Sequence, residues 1–191
     1  MAWAPNYAQV ADLAEYLRIP DAQDDQTLAA SIAAASRAID EATGRQFGQV
    51  ASPEVRYYEP RFDRVRCSWV AQVDDLMTTT GLAVVQDGAT VTEYTLGPRN
   101  ALAKGLPYTE VWVEDASTEE LAITARWGWS AVPDAVKTAC LLQAGRLFKR
   151  RDAPFGVAGS PQLGSEMRLL AKLDPDVEVT LRAYRRWWGA V

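Results

Sequence analysis

The chain has 191 residues, of which 48% are hydrophobic and 24% are charged. This balance is typical of a globular protein and excludes collagen-like, fibrous and disordered classes. There are 20 lysine and arginine residues against 25 aspartate and glutamate residues, and the net charge of −5 argues against a general polyanion-binding protein. The sequence contains no histidine, which removes Ser–His and Cys–His nucleophile pairs, the imidazole general base and histidine-ligated zinc.

The cysteine pattern and the hydropathy pattern indicate a soluble protein. Cys67 and Cys140 form no CxxC motif, and we expect free thiols in a reducing compartment. The amino terminus lacks the basic region and apolar run of a signal peptide. No stretch approaches the roughly 18 uninterrupted apolar residues of a membrane helix. We therefore expect a protein that is not secreted and has no membrane partner.

The first fifty residues have a helical pattern. Asn6 is a candidate N-cap for a helix over Tyr7–Arg18. A second helix is expected to begin at Asp24 or Asp25, and Gly44 suits the position just after its end. The apolar residues of this second helix recur every three or four positions and therefore form one stripe: Leu28, Ile32, Ala35, Ile39 and Ala42.

Residues 53–129 have strand propensity instead. Five segments are rich in β-branched and aromatic residues or alternate in polarity: Val55–Tyr58, Leu82–Val85, Val91–Leu96, Tyr108–Val113 and Leu121–Arg126. The pair Asp87-Gly88 is a turn signal, so we expect a hairpin between Leu82–Gln86 and Thr90–Leu96. No helical pattern separates these strands, which favours an antiparallel sheet over parallel βαβ units.

The helical pattern returns after Trp129. Pro133 suits the first turn of a helix whose apolar face carries Val136, Cys140 and Leu147. A last helix is expected to begin at Asp174, its N-cap, followed by Pro175 at the first helical position. One face of this last helix would carry Val177, Leu181, Tyr184 and Trp188.

The order of these elements predicts the fold class. We expect an α+β protein, in which N- and C-terminal helices form a bundle and an antiparallel β region is inserted between them. Residues 1–52 and 130–191 would form the helical core, because neither part alone has enough apolar surface to be stable. Residues 53–129 would form the β-rich insertion.

The basic residues are concentrated in the last part of the chain. Residues 1–50 contain three basic and seven acidic residues, a net charge of −4, whereas residues 146–191 contain nine and five, a net charge of +4. A solvated helical face would explain this asymmetry. An interface whose complementary potentials steer association would explain it equally well.

Two segments combine cationic and aromatic side chains. One is the end of the third helix, with Lys149, Arg150 and Arg151; the other lies near the end of the chain, with Tyr184, Arg185, Arg186, Trp187 and Trp188. Such mixtures bind phosphates and stacked bases, and they also anchor protein interfaces. Cations at a helix C-terminus are also favoured by its dipole. A DNA-binding module that uses these basic-aromatic C-terminal helices is therefore the alternative to a protein-interface function.

The sequence offers no catalytic constellation. The acidic pairs suit cap and turn positions, and the EF-hand, P-loop, GxGxxG and GxSxG motifs are absent. Cys67 is a lone thiol without a histidine base. We predict no enzyme activity, and therefore no catalytic residues, no metal and no cofactor.

Several segments together resemble one family. They are Tyr7-Ala-Gln-Val-Ala-Asp-Leu13, Ala35-Ser-Arg-Ala-Ile-Asp-Glu-Ala-Thr-Gly-Arg45-Gln-Phe47, Trp127-Gly-Trp-Ser-Ala-Val-Pro133 and Arg146-Leu-Phe-Lys-Arg-Arg-Asp-Ala-Pro-Phe-Gly-Val-Ala-Gly159. Their order and spacing resemble the head-to-tail connector, or adaptor, proteins of long-tailed bacteriophages, in the version found in phages of actinobacteria.

This resemblance implies a structural virion protein of the head–tail neck that is present in the host cytoplasm during assembly. The chain would form a homo-oligomeric, dodecameric ring beneath the portal. The portal protein would bind one face, and a stopper, head-completion or tail-proximal protein would bind the other. DNA would pass through the lumen without specific binding during genome packaging and ejection.

The resemblance also implies where the partners bind. The family's C-terminal segment engages the portal, and in this sequence it corresponds to a helix from about Asp174 to Val191. The portal-binding residues would then be Tyr184, Arg185, Arg186, Trp187 and Trp188. From their composition alone, and not from the resemblance, the basic residues Lys149, Arg150 and Arg151 are expected to face a protein interface or the DNA.

Overall fold

A computed structural model describes residues 3–114, 120–151, 157–158, 167–168 and 173–186. The chain divides into two compact units, Met1–Gln46 with Val132–Val191 and Phe47–Ala131. The first unit contains the α-helices and the second contains two antiparallel sheets. The predicted α+β fold class is therefore confirmed.

Within its described part, the first unit is built on four α-helices. They are α1 (Val10–Leu17), α2 (Asp25–Thr43), α3 (Asp134–Arg150) and α4 (Pro175–Leu181). In addition, Val157–Ala158 pairs antiparallel with Met167–Arg168. The helical core includes the predicted stripe of α2, of which Leu28, Ile32, Ala35 and Ile39 are buried, while Ala42 is half-buried. Gly44 ends α2 in the left-handed conformation, as predicted.

Helix α1 begins three residues later than the sequence pattern suggests. Its N-cap is Gln9 rather than Asn6, and the Asp12 carboxylate accepts the backbone N–H of Gln9 at 3.0 Å. Tyr7 is buried against α2 instead, because its N–H donates to Ser36 Oγ at 3.1 Å and its hydroxyl donates to Asp40. These contacts with α2 hold the backbone of Tyr7 outside α1.

Helix α4 begins as predicted but ends early. The side chain of Asp174 caps it by accepting the N–H of Asp176 at 3.0 Å. After Leu181 the chain makes a 3₁₀ turn over Arg182–Tyr184 and then becomes extended. The N–H of Arg186 donates to the carbonyl of Thr43 at 2.8 Å, which satisfies a group that the end of α2 leaves unpaired. The predicted continuation of the helix through Tyr184–Arg186 is therefore wrong.

The second unit contains two four-stranded antiparallel sheets. The first sheet has the order β1-β8-β4-β5 and the second β2-β3-β7-β6. The strands are β1 (Glu54–Tyr58), β2 (Arg61–Asp63), β3 (Ser68–Leu76), β4 (Ala83–Gln86), β5 (Ala89–Thr90), β6 (Tyr94–Gly97), β7 (Tyr108–Val113) and β8 (Leu121–Ala125).

The five predicted strand segments all contain strands, but three strands of the second unit lie outside them. These are β2, β3 and the two-residue β5, and β3 lies in the interior of the second sheet. An irregularity between Gln72 and Leu76 interrupts the pairing of β3 with β7. It also breaks the alternation of polar and apolar residues by which a strand is predicted from sequence. The predicted turn at Asp87-Gly88 joins β4 to β5, but the hairpin ends at Thr90, because β6 pairs with β7 in the other sheet.

A short segment, Trp127-Gly128-Trp129, connects distant parts of the second unit. Both indoles are buried, and their N–H groups donate to the carbonyl of Glu54 at 2.9 Å and to the carboxylate of Asp75 at 2.7 Å. The backbone N–H of Gly128 donates to the carbonyl of Asp75 at 2.6 Å. The segment therefore holds the end of β3 and the start of β1 through hydrogen bonds that are sheltered from water.

Tyr58, at the end of β1, gives this unit a dependence on alkaline pH. Its hydroxyl donates to the Asp74 carboxylate at 2.8 Å, and burial together with that carboxylate raises the pKa of Tyr58 above its ordinary value of about 10. The unfolded chain then loses this proton before the folded chain does, so the free energy of unfolding should fall as pH rises above about 10.

The substitution Tyr58→Phe should remove this contribution and flatten the fall in stability at alkaline pH. Urea denaturation at a series of pH values above about 9 measures the slope directly. The control is Tyr57→Phe, which alters an exposed tyrosine on the same strand and should retain the wild-type slope. An unchanged slope in Tyr58→Phe would show that this hydroxyl does not control the alkaline transition.

Candidate protein-binding site

A cleft of about 560 Å³ lies in the first unit beside α2, α3 and α4. Its apolar lining includes Ala38, Ala42 and Leu147. Its charged lining consists of two acids and two arginines, Glu41, Glu178, Arg150 and Arg185. The fold thus brings together Arg150 and Arg185, which belong to the two separate segments that the sequence singled out.

The position of Arg185 depends on how α4 is anchored. Val177 and Leu181 are buried in the helical core. The N–H of Asp174 donates to Gln143 Oε1 at 3.2 Å, and its carboxylate lies 3.5 Å from Arg146 on α3. These contacts attach both the start and the apolar side of α4 to the first unit. The position at which α4 ends is therefore fixed, and with it the start of the segment that contains Arg185.

Ion pairs neutralise much of the positive charge around the cleft. Arg185 pairs with Glu178 at 3.1 Å, and Arg151 pairs with Asp24 at 2.7 Å. The guanidinium of Arg151 also lies over the Phe148 ring, 4.3 Å from its centroid. Because these arginines already have acidic partners, the surface has alternating charge, which suits a protein partner better than a polyphosphate backbone.

The remaining predicted site residues that the structure describes differ in exposure and in their partners. Lys149 is exposed, whereas Tyr184 and Arg186 are half-buried. The three basic residues at the end of α3 diverge, because Arg150 lines the cleft and Arg151 reaches Asp24 at the start of α2. Trp187 and Trp188 lie outside the described residues.

The second unit contains a cluster that sequence reasoning missed. Two guanidinium groups lie near the Trp112 indole, with Arg66 at 5.0 Å and Arg99 at 5.8 Å from its centroid. The N–H of Trp112 donates to the Glu110 carboxylate at 2.8 Å. Trp112 and the two arginines line a second cleft of about 560 Å³. These residues come from separate segments with no motif spacing, so only the pairing of the strands brings them together.

The described residues include neither a metal-binding cluster nor a membrane-spanning helix. In that part of the chain, no group of three or more cysteine and acidic side chains could hold a metal ion. None of the helices that the structure describes combines the length and the apolar character needed to cross a bilayer.

Comparison with known proteins identifies an informative similarity in fold. No protein-family model and no curated protein matches this chain. Among solved structures, it is similar to a chain of the "Neck of empty GTA particle computed with C6 symmetry", with a TM-score of 0.60 and 17% sequence identity. The aligned region covers 99% of this chain and 96% of that chain. The two chains share one fold.

Proposed function

We propose that this protein is a structural component of the neck of a phage-like particle, where it acts as a head-to-tail adaptor. The observation that carries the proposal is the similarity in fold to a chain of a GTA particle neck, which extends over 99% of this chain. The sequence resemblance to phage adaptor proteins, carried by residues at both ends of the chain, supports the same role independently of the fold. Such a role is non-enzymatic and requires neither a metal nor a cofactor.

The adaptor would act as a ring of identical copies beneath the portal. The neck with the similar chain was computed with sixfold symmetry, and a dodecameric ring is compatible with that symmetry. A ring requires a head-to-tail contact between copies that closes by rotation. DNA would pass through the lumen, where the net charge of −5 would keep the protein from gripping it.

The cleft beside α4 is the surface that we assign to the portal protein. Its apolar lining offers area for burial, and its arginines and glutamates would fix the orientation of the partner. Arg185 lines the cleft, and the other candidate portal-binding residues, Tyr184, Arg186, Trp187 and Trp188, are its neighbours in the sequence. A stopper or other tail-proximal protein would bind the opposite face of the ring.

The double substitution Arg150→Glu with Arg185→Glu tests this assignment. It reverses both positive charges of the cleft, and we expect binding to the purified portal protein to weaken by more than about tenfold. The matched control is Arg182→Glu, because Arg182 is exposed in the same segment but does not line the cleft. Surface plasmon resonance at a fixed salt concentration gives both affinities.

Two further results separate this proposal from DNA binding. If the double variant binds the portal as tightly as the wild type, the cleft is not the portal site. If the wild type binds duplex DNA with an affinity that falls steeply with salt, and the double variant does not, the DNA-binding module is favoured instead. Electron micrographs of particles in which this chain is labelled would show where it lies. If the label is absent from the neck, the structural role itself is overturned.

A further inference from the structure

Three strands of the first sheet, β1, β8 and β4, share an outer face that is largely apolar. Antiparallel pairing places Val55 of β1 beside Thr124 of β8, and Tyr57 beside Ala122. The same two β8 residues pair with Ala83 and Val85 of β4. Residues directly opposite each other share one face of a sheet, so these six side chains form two adjacent rows: Val55-Thr124-Ala83 and Tyr57-Ala122-Val85.

This face differs from the usual surface of an antiparallel sheet. The opposite face already supplies the core, with Val84, Leu121, Ile123 and Ala125 buried. An antiparallel sheet with one buried face normally presents polar side chains on the other. Here none of the six side chains is charged, and Val55 and Tyr57 are 50% and 60% exposed. A continuous apolar face of this kind marks a site of protein association.

One end of this face is acidic. The register aligns Tyr58, Leu121 and Gln86 across β1, β8 and β4. One residue beyond that row, at the same end of the sheet, the three strands are flanked by exposed acids: Glu59, Glu120 and Asp87. An occupant of the face should therefore combine apolar side chains with positive charge on one side.

The β2–β3 hairpin tip, residues 61–67, has that composition. It contains three arginines and one aspartate, a net charge of +2, whereas the rest of residues 47–131 has a net charge of −7. Val65 at the tip is 94% exposed and Phe62 is 51% exposed. The tip is thus a basic and apolar projection on an otherwise acidic unit.

Hydrogen bonds within the hairpin tip fix its shape. The Asp63 carboxylate accepts the N–H groups of Val65 at 2.8 Å and of Arg66 at 3.1 Å. The side chain of Arg66 pairs with Asp63 and lies over the Trp112 ring. A projection that is ordered before binding loses less conformational entropy when a partner covers it.

We propose that the hairpin tip of one copy docks on the outer face of the first sheet of the next copy. Phe62 and Val65 would cover the apolar rows, and Arg61 and Arg64 would lie against Glu59, Asp87 and Glu120. Each copy carries both surfaces, so the contact is head-to-tail and repeats from copy to copy, as a ring requires. The choice of a second copy as the partner rests on the proposed adaptor function; the complementary charges are the independent support.

The native thiol of Cys67, exposed in the hairpin tip, allows the contact to be trapped. A second thiol is introduced at the centre of the sheet face by Ala122→Cys, and the concentrated full-length protein is treated with a short bismaleimide. We expect a ladder of covalent dimers, trimers and larger species, because each copy would donate one thiol and receive another. Adding Cys67→Ser to Ala122→Cys should abolish the ladder.

The position of the second thiol provides the matched control. Ala103→Cys places an exposed thiol in the 3₁₀ turn at Leu102–Lys104, which connects β6 and β7 of the second sheet, and should give only the background of the wild type. The absence of a ladder in Ala122→Cys would overturn the proposal. Dimers that persist in Ala122→Cys with Cys67→Ser would also overturn it, because they would show two sheet faces packed together.

A charge exchange tests the assigned orientation. Arg64→Glu retains Cys67 as its tip thiol, while a second protein carries Glu59→Lys, Glu120→Lys, Ala122→Cys and Cys67→Ser. When the partner protein carries only Ala122→Cys and Cys67→Ser, we expect Arg64→Glu to reduce cross-linking by about tenfold. When the partner also carries the two lysines, we expect cross-linking to Arg64→Glu to be restored, with a single covalent dimer as the product. Failure to restore the dimer would overturn the proposed pairing of charges.

Portal binding distinguishes failure of this inference from failure of the adaptor function. If Arg64→Glu binds the portal normally but the wild-type tip never cross-links to the face, the copy-to-copy contact is wrong and the adaptor role stands. If the ladder forms while the chain is absent from particle necks, the contact stands and the adaptor role is wrong.

Discussion

Replacing Gly128 with alanine is expected to destabilise the second unit by more than about 4 kcal/mol, enough to prevent it from folding at physiological temperature. A Cβ atom at this position would lie 2.0 Å from the carbonyl oxygen of Gly48, well inside the contact distance. The backbone of Gly128 also has φ of +104°, a conformation that residues with a side chain rarely adopt.

The surrounding structure cannot move to relieve this contact. The N–H of Trp129 donates to the same Gly48 carbonyl at 2.7 Å, so the oxygen is held where the new methyl group would lie. On the other side, the N–H of Gly128 donates to the carbonyl of Asp75. Since Trp127 and Trp129 are both buried, a shift of this segment would also disturb the core of the unit.

Urea denaturation followed by tryptophan fluorescence measures the loss, because the second unit contains Trp127 and Trp129 next to the substituted residue. The control is Gly88→Ala, which also has a positive φ, +77°, but has nothing within 4 Å of an added Cβ. That variant should lose only about 1–2 kcal/mol, the cost of the backbone conformation alone. Equal losses in the two variants would show that the contact with Gly48 is not what makes Gly128 necessary.

The sequence predicts those parts of the fold that local patterns control. The stripe containing Leu28 and Ile32 defines α2 because helical periodicity depends only on neighbours within a few residues. The turn at Asp87-Gly88 and the N-cap at Asp174 can also be predicted, because each depends only on residues a few positions away in the sequence. The fold class follows from the order of such elements along the chain.

The errors in the prediction come from contacts between residues far apart in sequence. Helix α4 ends at Leu181, and the chain beyond the following turn is held by the hydrogen bond from the Arg186 N–H to the Thr43 carbonyl. No sequence pattern near Arg186 indicates that contact. The division of the strands into two sheets likewise depends on β6 pairing with β7 rather than with β4.

The sequence indicates two residues of the candidate cleft but not the cleft itself. Arg150 and Arg185 were both singled out as cations next to aromatic residues, yet the sequence gives no distance between α3 and the segment after α4. The fold supplies that proximity and adds Glu41 and Glu178, which no motif indicated. The roles of Trp187 and Trp188 stay predictions, since these residues lie outside the described structure.

The substitution Leu181→Ala is expected to cost about 2–5 kcal/mol of stability and to weaken portal binding with it. Leu181 is 1% exposed and is the last residue of α4, directly before the turn that leads to Arg185. Removing its side chain leaves a cavity at the point where the C-terminal segment is anchored. Arg185 would then be held less firmly at the cleft. Because binding would have to order this residue, the loss of conformational entropy would reduce the affinity for the portal.

Helix α4 contains its own control for this effect. Val179 lies two residues earlier and is 75% exposed, so Val179→Ala should change stability by no more than about 0.5 kcal/mol and leave portal binding unaffected. Hydrogen exchange at the Arg186 amide reports the anchoring directly, because that N–H donates to Thr43. Leu181→Ala should exchange it much faster than Val179→Ala does. If Leu181→Ala loses stability but retains both the protection of this amide and full portal affinity, then α4 contributes to the core without positioning the binding segment.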